Sequence, residues 1–220
     1  MKQLTTSYSF KLQKEAVAAY EHLLNSKVEL EEKADIQPIF KEYPVLILMM
    51  ADLVGMSGMD IDEVDCEIRL WGDFFCDLGF GSSKINTYCL VELEDAKKNS
   101  ILKDKPKSQP KFSDRFEGGV SQFIDWFWKI DGQKNNATEI EHLFSAHNPT
   151  IKAILIIGRT GFFRNRTEKS RFKWRSEKTI IDSKKIECLT YDDLSDYYKA
   201  IIKRKENEKL LDMEQEAIVN

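Results

Sequence analysis

Asp77 is followed after fourteen residues by Glu92, which opens the triplet Glu92-Leu93-Glu94. Residues 67 to 78 and 85 to 93 are rich in β-branched and aromatic side chains, with Gly79, Gly81, Ser82 and Ser83 between them. That composition predicts two strands joined as an antiparallel hairpin. Side chains alternate across a strand, so Glu92 and Glu94 share one face while Leu93 points to the core. With an even loop and no bulge, residue 77 falls opposite residue 92 or diagonal to it, and three carboxylates converge. An all-oxygen cluster suits Mg²⁺ or Mn²⁺ in preference to zinc, and the chemistry it suits is metal-assisted hydrolysis of a phosphodiester. Ionised acids this close repel one another, so a bound cation or a raised pKa is expected. The competing reading of the same spacing is a strand end at which Glu94 and Asp95 face water.

The hairpin needs helices and a core to position it. The chain has 220 residues, 42% hydrophobic and 11% aromatic, which is ample for one large domain. Residues 7 to 25 place Phe10, Val17, Tyr20, Leu23 and Leu24 on one side of an amphipathic helix. A second helix is predicted over about 28 to 43; its acids Glu29, Glu31, Glu32 and Asp35 are favoured near a helix start by the helix dipole. Val45 to Ala51 reads as a buried segment, and residues 95 to 115 as a mobile loop beside the carboxylates. A helix from Phe116 to Ile130 carries a continuous apolar face with Gln122 at its edge, and Asp131-Gly132 is expected to end it. Ala153 to Gly158 reads as a central strand. Thr190 is a predicted N-cap with Asp193 at the third helical position, so Asp192 and Asp193 read as capping groups. Residues 203 to 220 form a charged helical tail.

Cys66, Cys76, Cys89 and Cys188 show no C-x-x-C spacing and read as reduced, buried apolar residues. The first twenty residues lack the pattern of a secretory signal, and the longest apolar stretch is far short of the roughly twenty residues of a membrane span. A cytoplasmic protein without a membrane partner is therefore expected. Serine, lysine and cysteine nucleophile motifs and glycine-rich nucleotide loops are absent. The net charge of -4 opposes binding to a polyanion, but its distribution is uneven. Arg159, Arg164, Arg166, Lys169, Arg171, Lys173, Arg175 and Lys178 stand against only Glu168 and Glu177, interleaved with Phe162, Phe163, Phe172 and Trp174. Such a segment can track a phosphate backbone and stack on bases. Equally, its aromatics can pack on the sheet while its charges are solvated, and both readings stand.

The order of these features resembles the Shedu family of bacterial anti-phage proteins, a branch of the PD-(D/E)xK nucleases, over about residues 28 to 200. The likeness begins at Glu32-Lys-Ala-Asp-Ile-Gln37-Pro-Ile-Phe-Lys-Glu-Tyr-Pro44 and continues through Phe75-Cys-Asp77-Leu and Leu90-Val-Glu92-Leu-Glu94. It then takes in Gly119-Val-Ser-Gln122-Phe-Ile-Asp-Trp126, Ile154-Leu-Ile-Ile-Gly158-Arg159 and Ile186-Glu-Cys-Leu-Thr-Tyr191-Asp-Asp-Leu194. The resemblance implies an α/β, restriction-endonuclease-like fold: a mixed central sheet flanked by helices, with helical terminal extensions. It divides the chain into an N-terminal helix (1–27), a nuclease-like domain (28–202) and a charged tail (203–220). It implies that Asp77 and Glu92 hold Mg²⁺ or Mn²⁺, that Gln122 reaches into the site and that Glu32 joins from the opening helix. DNA is the implied substrate and a homo-oligomer the implied assembly; on the nucleic-acid reading of the basic segment, Arg159, Arg164, Arg166, Arg171, Lys173 and Arg175 contact the DNA. The departure lies at Glu94, where the general nuclease pattern has a lysine; an acid there is read as a general base or a second-metal ligand. Lys97 or Lys98 is either a substitute cation or an ordinary solvated lysine. The implied activity is metal-dependent DNA hydrolysis; the alternative is a catalytically inert nucleic-acid-binding or oligomeric scaffold protein of the same fold.

Overall fold

The computed structural model describes residues 1–3, 8–72, 74–103, 110–133 and 136–219. Its strands are β1 (Lys2–Gln3), β2 (Glu63–Leu70), β3 (Phe74–Ser82), β4 (Thr87–Leu93), β5 (Thr150–Ile156), β6 (Ile180–Ile181) and β7 (Lys184–Leu189). They form one seven-stranded sheet in the order β1-β2-β3-β4-β5-β7-β6. β1 to β4 are antiparallel, β4, β5 and β7 are parallel, and β6 returns antiparallel to β7.

The alternation of β4 divides the core between two helical layers. Cys89, Val91 and Leu93 pack against helices α1 (Phe10–Ser26), α2 (Gln37–Glu42), α3 (Val45–Leu48) and α7 (Tyr191–Val219). Tyr88 and Leu90 pack on the opposite side against α4 (Asp114–Gln133), α5 (Ala137–Phe144) and α6 (Arg166–Lys178). The protein is thus an α/β domain with a mixed sheet between helices, consistent with a restriction-endonuclease-like fold. Among the described residues no helix is long and apolar enough to cross a membrane.

The expected hairpin is present, but its strands are placed differently. A turn at Trp71 and Gly72, with φ 49° and 87°, divides the predicted strand 67 to 78 between β2 and β3. The Gly79 to Ser82 stretch, expected to connect the strands, lies within β3. Its glycines permit close packing: a Cβ on Gly81 would fall 2.0 Å from Tyr88 Cδ1, and one on Gly79 2.3 Å from Ile68 Cδ1. The register runs from Ser82↔Thr87 to Leu78↔Val91 across an even turn of residues 83–86.

Other boundaries move for identifiable reasons. Residues 28–31 are not helical, because Leu30 exchanges backbone hydrogen bonds with Ala96 at 3.2 and 2.9 Å. A π-helix then spans Glu32–Ile36 before α2 begins. α4 continues through Asp131-Gly132 to Gln133. In the segment expected to be a loop, Ile101 and Leu102 are buried and Leu102 bridges Phe112; its centre, residues 104–109, lies outside the described residues. α7 runs unbroken past residue 203, and Tyr198 near its start meets Tyr20 of α1 edge-on at 5.4 Å. All four cysteines are free, with Cys66 only half-buried.

The capping prediction holds for one aspartate and fails for the other. Thr190 Oγ1 accepts from Asp193 N at 3.1 Å, and Asp193 Oδ2 accepts from Thr190 N at 3.2 Å, closing a reciprocal box at the start of α7. Asp192 instead accepts from Arg159 Nε and from Thr160 N. Thr190→Ala is expected to cost about 1 kcal/mol, a fall of roughly 2–4 °C in Tm; an unchanged melting curve would remove the box from the account of α7.

Candidate active site

The β3–β4 ladder ends at Leu78↔Val91, and one further step sets Asp77 opposite Glu92. At that step a side chain replaces the backbone: Asp77 Oδ2 accepts from Leu93 N at 2.7 Å. On the β2 side, the pairs Cys66↔Leu78 and Ile68↔Cys76 flank Asp77, and Glu67 between them has φ 54°. Cys66 and Leu78 pack in one core layer, Ile68 and Cys76 in the other. The strand pair therefore turns over at Glu67 and Asp77, which parts β3 from β4 at this end.

Groups from both helical layers reach the opening. Gln37 Nε2 donates to Asp77 Oδ1 at 2.8 Å and lies 3.2 Å from Glu32 Oε1. The π-turn brings these two residues into line, because Gln37 N bonds to Glu32 O, five residues back. From the other layer, Gln122 of α4 faces Glu92 and favours its charged form. Arg115, also on α4, places Nη1 2.7 Å from Glu94 Oε2 and Nη2 3.2 Å from Asp95 Oδ2. α4 comes close because Gly119 has no side chain: a Cβ there would lie 2.9 Å from Leu155 Cδ1 and 3.6 Å from Glu94 Cγ. Two backbone groups fix the rest, since Glu32 N donates to Asp95 Oδ1 at 2.8 Å and Tyr191 Oη donates to Glu94 O at 2.7 Å.

Glu92, Glu94 and Asp95 are each only 7% exposed. Burial raises the Glu92 carboxyl to about 10, with the charges of Asp77, Glu94 and Glu32 adding to the rise and Gln122 opposing it. Burial likewise raises Asp77 to about 7, against the Leu93 amide and Gln37, which favour its charged form. Glu94 is raised by burial although Arg115 pulls it down, and Glu32 is raised by burial and by Asp95. The cluster thus favours holding protons, or an equivalent positive charge, at neutral pH.

The structure brings Asp77, Glu92, Glu94, Gln122 and Glu32 into this one region. Among the described residues, however, no three His, Cys, Asp or Glu side chains form a ready-made metal-binding group. The basic segment is dispersed. Arg159 is turned toward Asp192 and the carbonyls of Leu24 and Lys27. Arg164 pairs with buried Glu168, Arg171 bonds Pro110 O, and Arg175 bonds Glu117. Arg166 and Lys173 are exposed on α6 beside Trp174, which is 62% exposed. Phe172 is buried and Phe163 packs on the same core. Lys97 pairs with Glu31 and Asp95.

Sequence reasoning missed Arg115, Asp95 and Gln37 as members of the cluster. Arg115 carries only a weak signal, a cation in the first turn of the helix that also bears Gln122; nothing in the spacing ties it to Glu94. Gln37 stands five residues after Glu32, a separation that only a π-turn makes adjacent.

The protein is thus an α/β domain, consistent with a restriction-endonuclease-like fold, with a buried carboxylate cluster at the end of a central strand. The chain belongs to the Shedu family: the family model described as Shedu protein SduA, C-terminal, matches residues 29–195. Membership points to a role in anti-phage defence. No curated protein matches the chain.

A carboxyl whose pKa is higher folded than unfolded makes folding proton-linked, so stability falls as pH rises from the ordinary value, 4.5 for glutamate, toward the folded one. In chelator, the Tm is expected to fall between about pH 5 and pH 9. Glu92→Gln should flatten that fall and raise the Tm at pH 8. Parallel pH curves for wild type and variant would show that Glu92 is not the linked group.

Proposed function

We propose that the protein is a metal-dependent nuclease of the PD-(D/E)xK kind that hydrolyses DNA phosphodiester bonds in anti-phage defence. The supporting observation is the desolvated carboxylate cluster at the end of β4, where Asp77, Glu92, Glu94 and Glu32 raise one another's proton affinity. A cluster with that electrostatic character and only oxygen donors fits a hard divalent cation. The lack of a ready-made three-acid group is compatible with this, since Mg²⁺ is commonly held by one or two carboxylates with water and substrate phosphate completing its shell. Asp77 and Glu92 would hold Mg²⁺ or Mn²⁺. When bound, the ion would offset charge on the phosphoryl oxygens and acidify water.

The protein groups divide the remaining work. Gln37 and the Leu93 amide hold Asp77 in orientation. Gln122 orients Glu92 and, through its free hydrogen-bonding capacity, water or substrate. Glu94 accepts a proton from the attacking water, a role its raised proton affinity suits. Buried Leu93 and Val91 behind the acids keep bulk water from that side. The outward groups of α6, Arg166, Lys173 and Trp174, extend a basic and aromatic surface for the phosphate backbone and bases. Assembly into a homo-oligomer belongs to the same proposal.

A second reading, an inert binding or scaffold protein of this fold, draws on the ion pair that occupies Glu94. Plasmid, linear duplex and single-stranded DNA incubated with Mg²⁺, Mn²⁺ or chelator separate the two. Metal-dependent product that falls at least about a hundredfold in Asp77→Asn and in Glu92→Gln is expected. Full cleavage by Asp77→Asn would overturn the assignment; tight binding without product in any metal would favour the inert reading. Removal of the α6 groups, Arg166→Ala with Trp174→Ala, is expected to weaken DNA binding without lowering the Tm. Arg159→Ala should lower the Tm, because Arg159 joins α1 to α7.

A further inference from the structure

We propose that Arg115 is a phosphate-contacting group that, on binding, exchanges the Glu94 and Asp95 carboxylates for a backbone phosphate of the nucleic acid. This deepens the nuclease reading and rests on it for the identity of the ligand.

The side chain of Arg115 is 43% exposed, whereas those of Glu94 and Asp95 beneath it are 9% and 10% exposed. Arg115 therefore stands between the buried acids and solvent, on the path of any anion entering from the α4 side. Its two terminal nitrogens go to two different carboxylates, Nη1 to Glu94 and Nη2 to Asp95. That uses single contacts where a planar guanidinium can form a forked pair with one anion, and a phosphate offers that fork. Exchanging a carboxylate for a phosphate leaves the arginine paired throughout, so the cation never loses a counter-charge.

The other cations near this end of α4 are committed to the fold. Arg171 and Arg175 each lie 5.2 Å from the ring centre of Phe112, three residues before Arg115. Arg175 also pairs with Glu117, two residues beyond it. These contacts tie α6 to the end of α4 that carries Arg115, on a face turned away from Arg115 itself. Lys97, the other cation bonded to Asp95, is also engaged by Glu31.

The test is duplex-oligonucleotide binding by the full chain in chelator, followed by anisotropy across a salt series. Arg115→Gln should lower the slope of log affinity against log salt by about 0.9, the loss of one phosphate contact. Arg115→Lys should keep the slope. Exchange makes a second demand: Glu94→Gln, which loosens the hold on Arg115, should tighten binding several-fold with Arg115 present and by less in the Arg115→Gln background. An unchanged slope in Arg115→Gln overturns the contact, and equal effects of Glu94→Gln in both backgrounds overturn the exchange. If Arg115→Gln loses its cooperative melting transition, the double variant Glu94→Gln/Arg115→Gln, compared with Glu94→Gln alone, makes the same slope comparison without an unpaired Glu94. Since no cleavage is read, a chain that never cuts DNA but shows these slopes fails the nuclease reading only; one that cuts DNA but keeps its slope fails the Arg115 inference only.

Discussion

Like charge buried around one point is the constraint to which the rest of this structure answers. Carboxylates removed from water lose their hydration and gain only mutual repulsion unless donors and cations are brought to them. Here the donors come from every layer: the Leu93 amide from the sheet, Gln37 from one helical face and Arg115 from the other, where Gln122 also faces Glu92. The flanking cores hold those donors in place. Val91 and Leu93 are fully buried on one side of β4, Tyr88 and Leu90 on the other, so the strand that carries Glu92 cannot slide or rotate away from the repulsion. A cluster of this kind opposes stability, and proteins retain such features where function requires them.

The distribution of positive charge follows the same logic. The chain has a net charge of -4, and much of the arginine in its basic segment is committed to the fold. Arg159 ties the end of α1 to the start of α7 through two carbonyls and Asp192, and Arg164 neutralises Glu168 in the first turn of α6. The two readings of the segment thus divide by residue. Its inner arginines and Phe172 serve packing, while Arg166, Lys173 and Trp174 remain on the surface.

Much of the site was legible because strands have a period of two. The carboxylate spacing and an even turn set Asp77 opposite Glu92, although the alternation itself breaks at Asp77, and the helix bearing Gln122 showed its apolar face plainly. The box at Thr190 and Asp193 could also be read, since its chemistry is local. What could not be read depends on exceptions to local rules. Glycine usually marks a turn, but Gly79 and Gly81 make room for Ile68 and Tyr88. Glycine usually ends a helix, but Gly132 continues one. The turnover at Glu67 requires a positive φ in a residue that seldom adopts it. Arg115 looks like any surface cation until the tertiary fold lays it over Glu94.

The π-turn between Glu32 and Gln37 carries a consequence for how the site tolerates changes in chain length. A π-turn amounts to one residue too many for an α-helix, and each residue of an α-helix advances the chain by about 100° around the axis. Deleting one residue between Glu32 and Gln37 would leave the pair four apart in a regular α-helix, still on one face, whereas the same five-residue step wound as an α-helix would set them roughly 140° apart around the axis. The pair thus tolerates loss of the extra residue together with the π-turn, but loss of the π-turn alone would cost Asp77 its amide partner. Phase, more than helical propensity, is what this segment has to preserve.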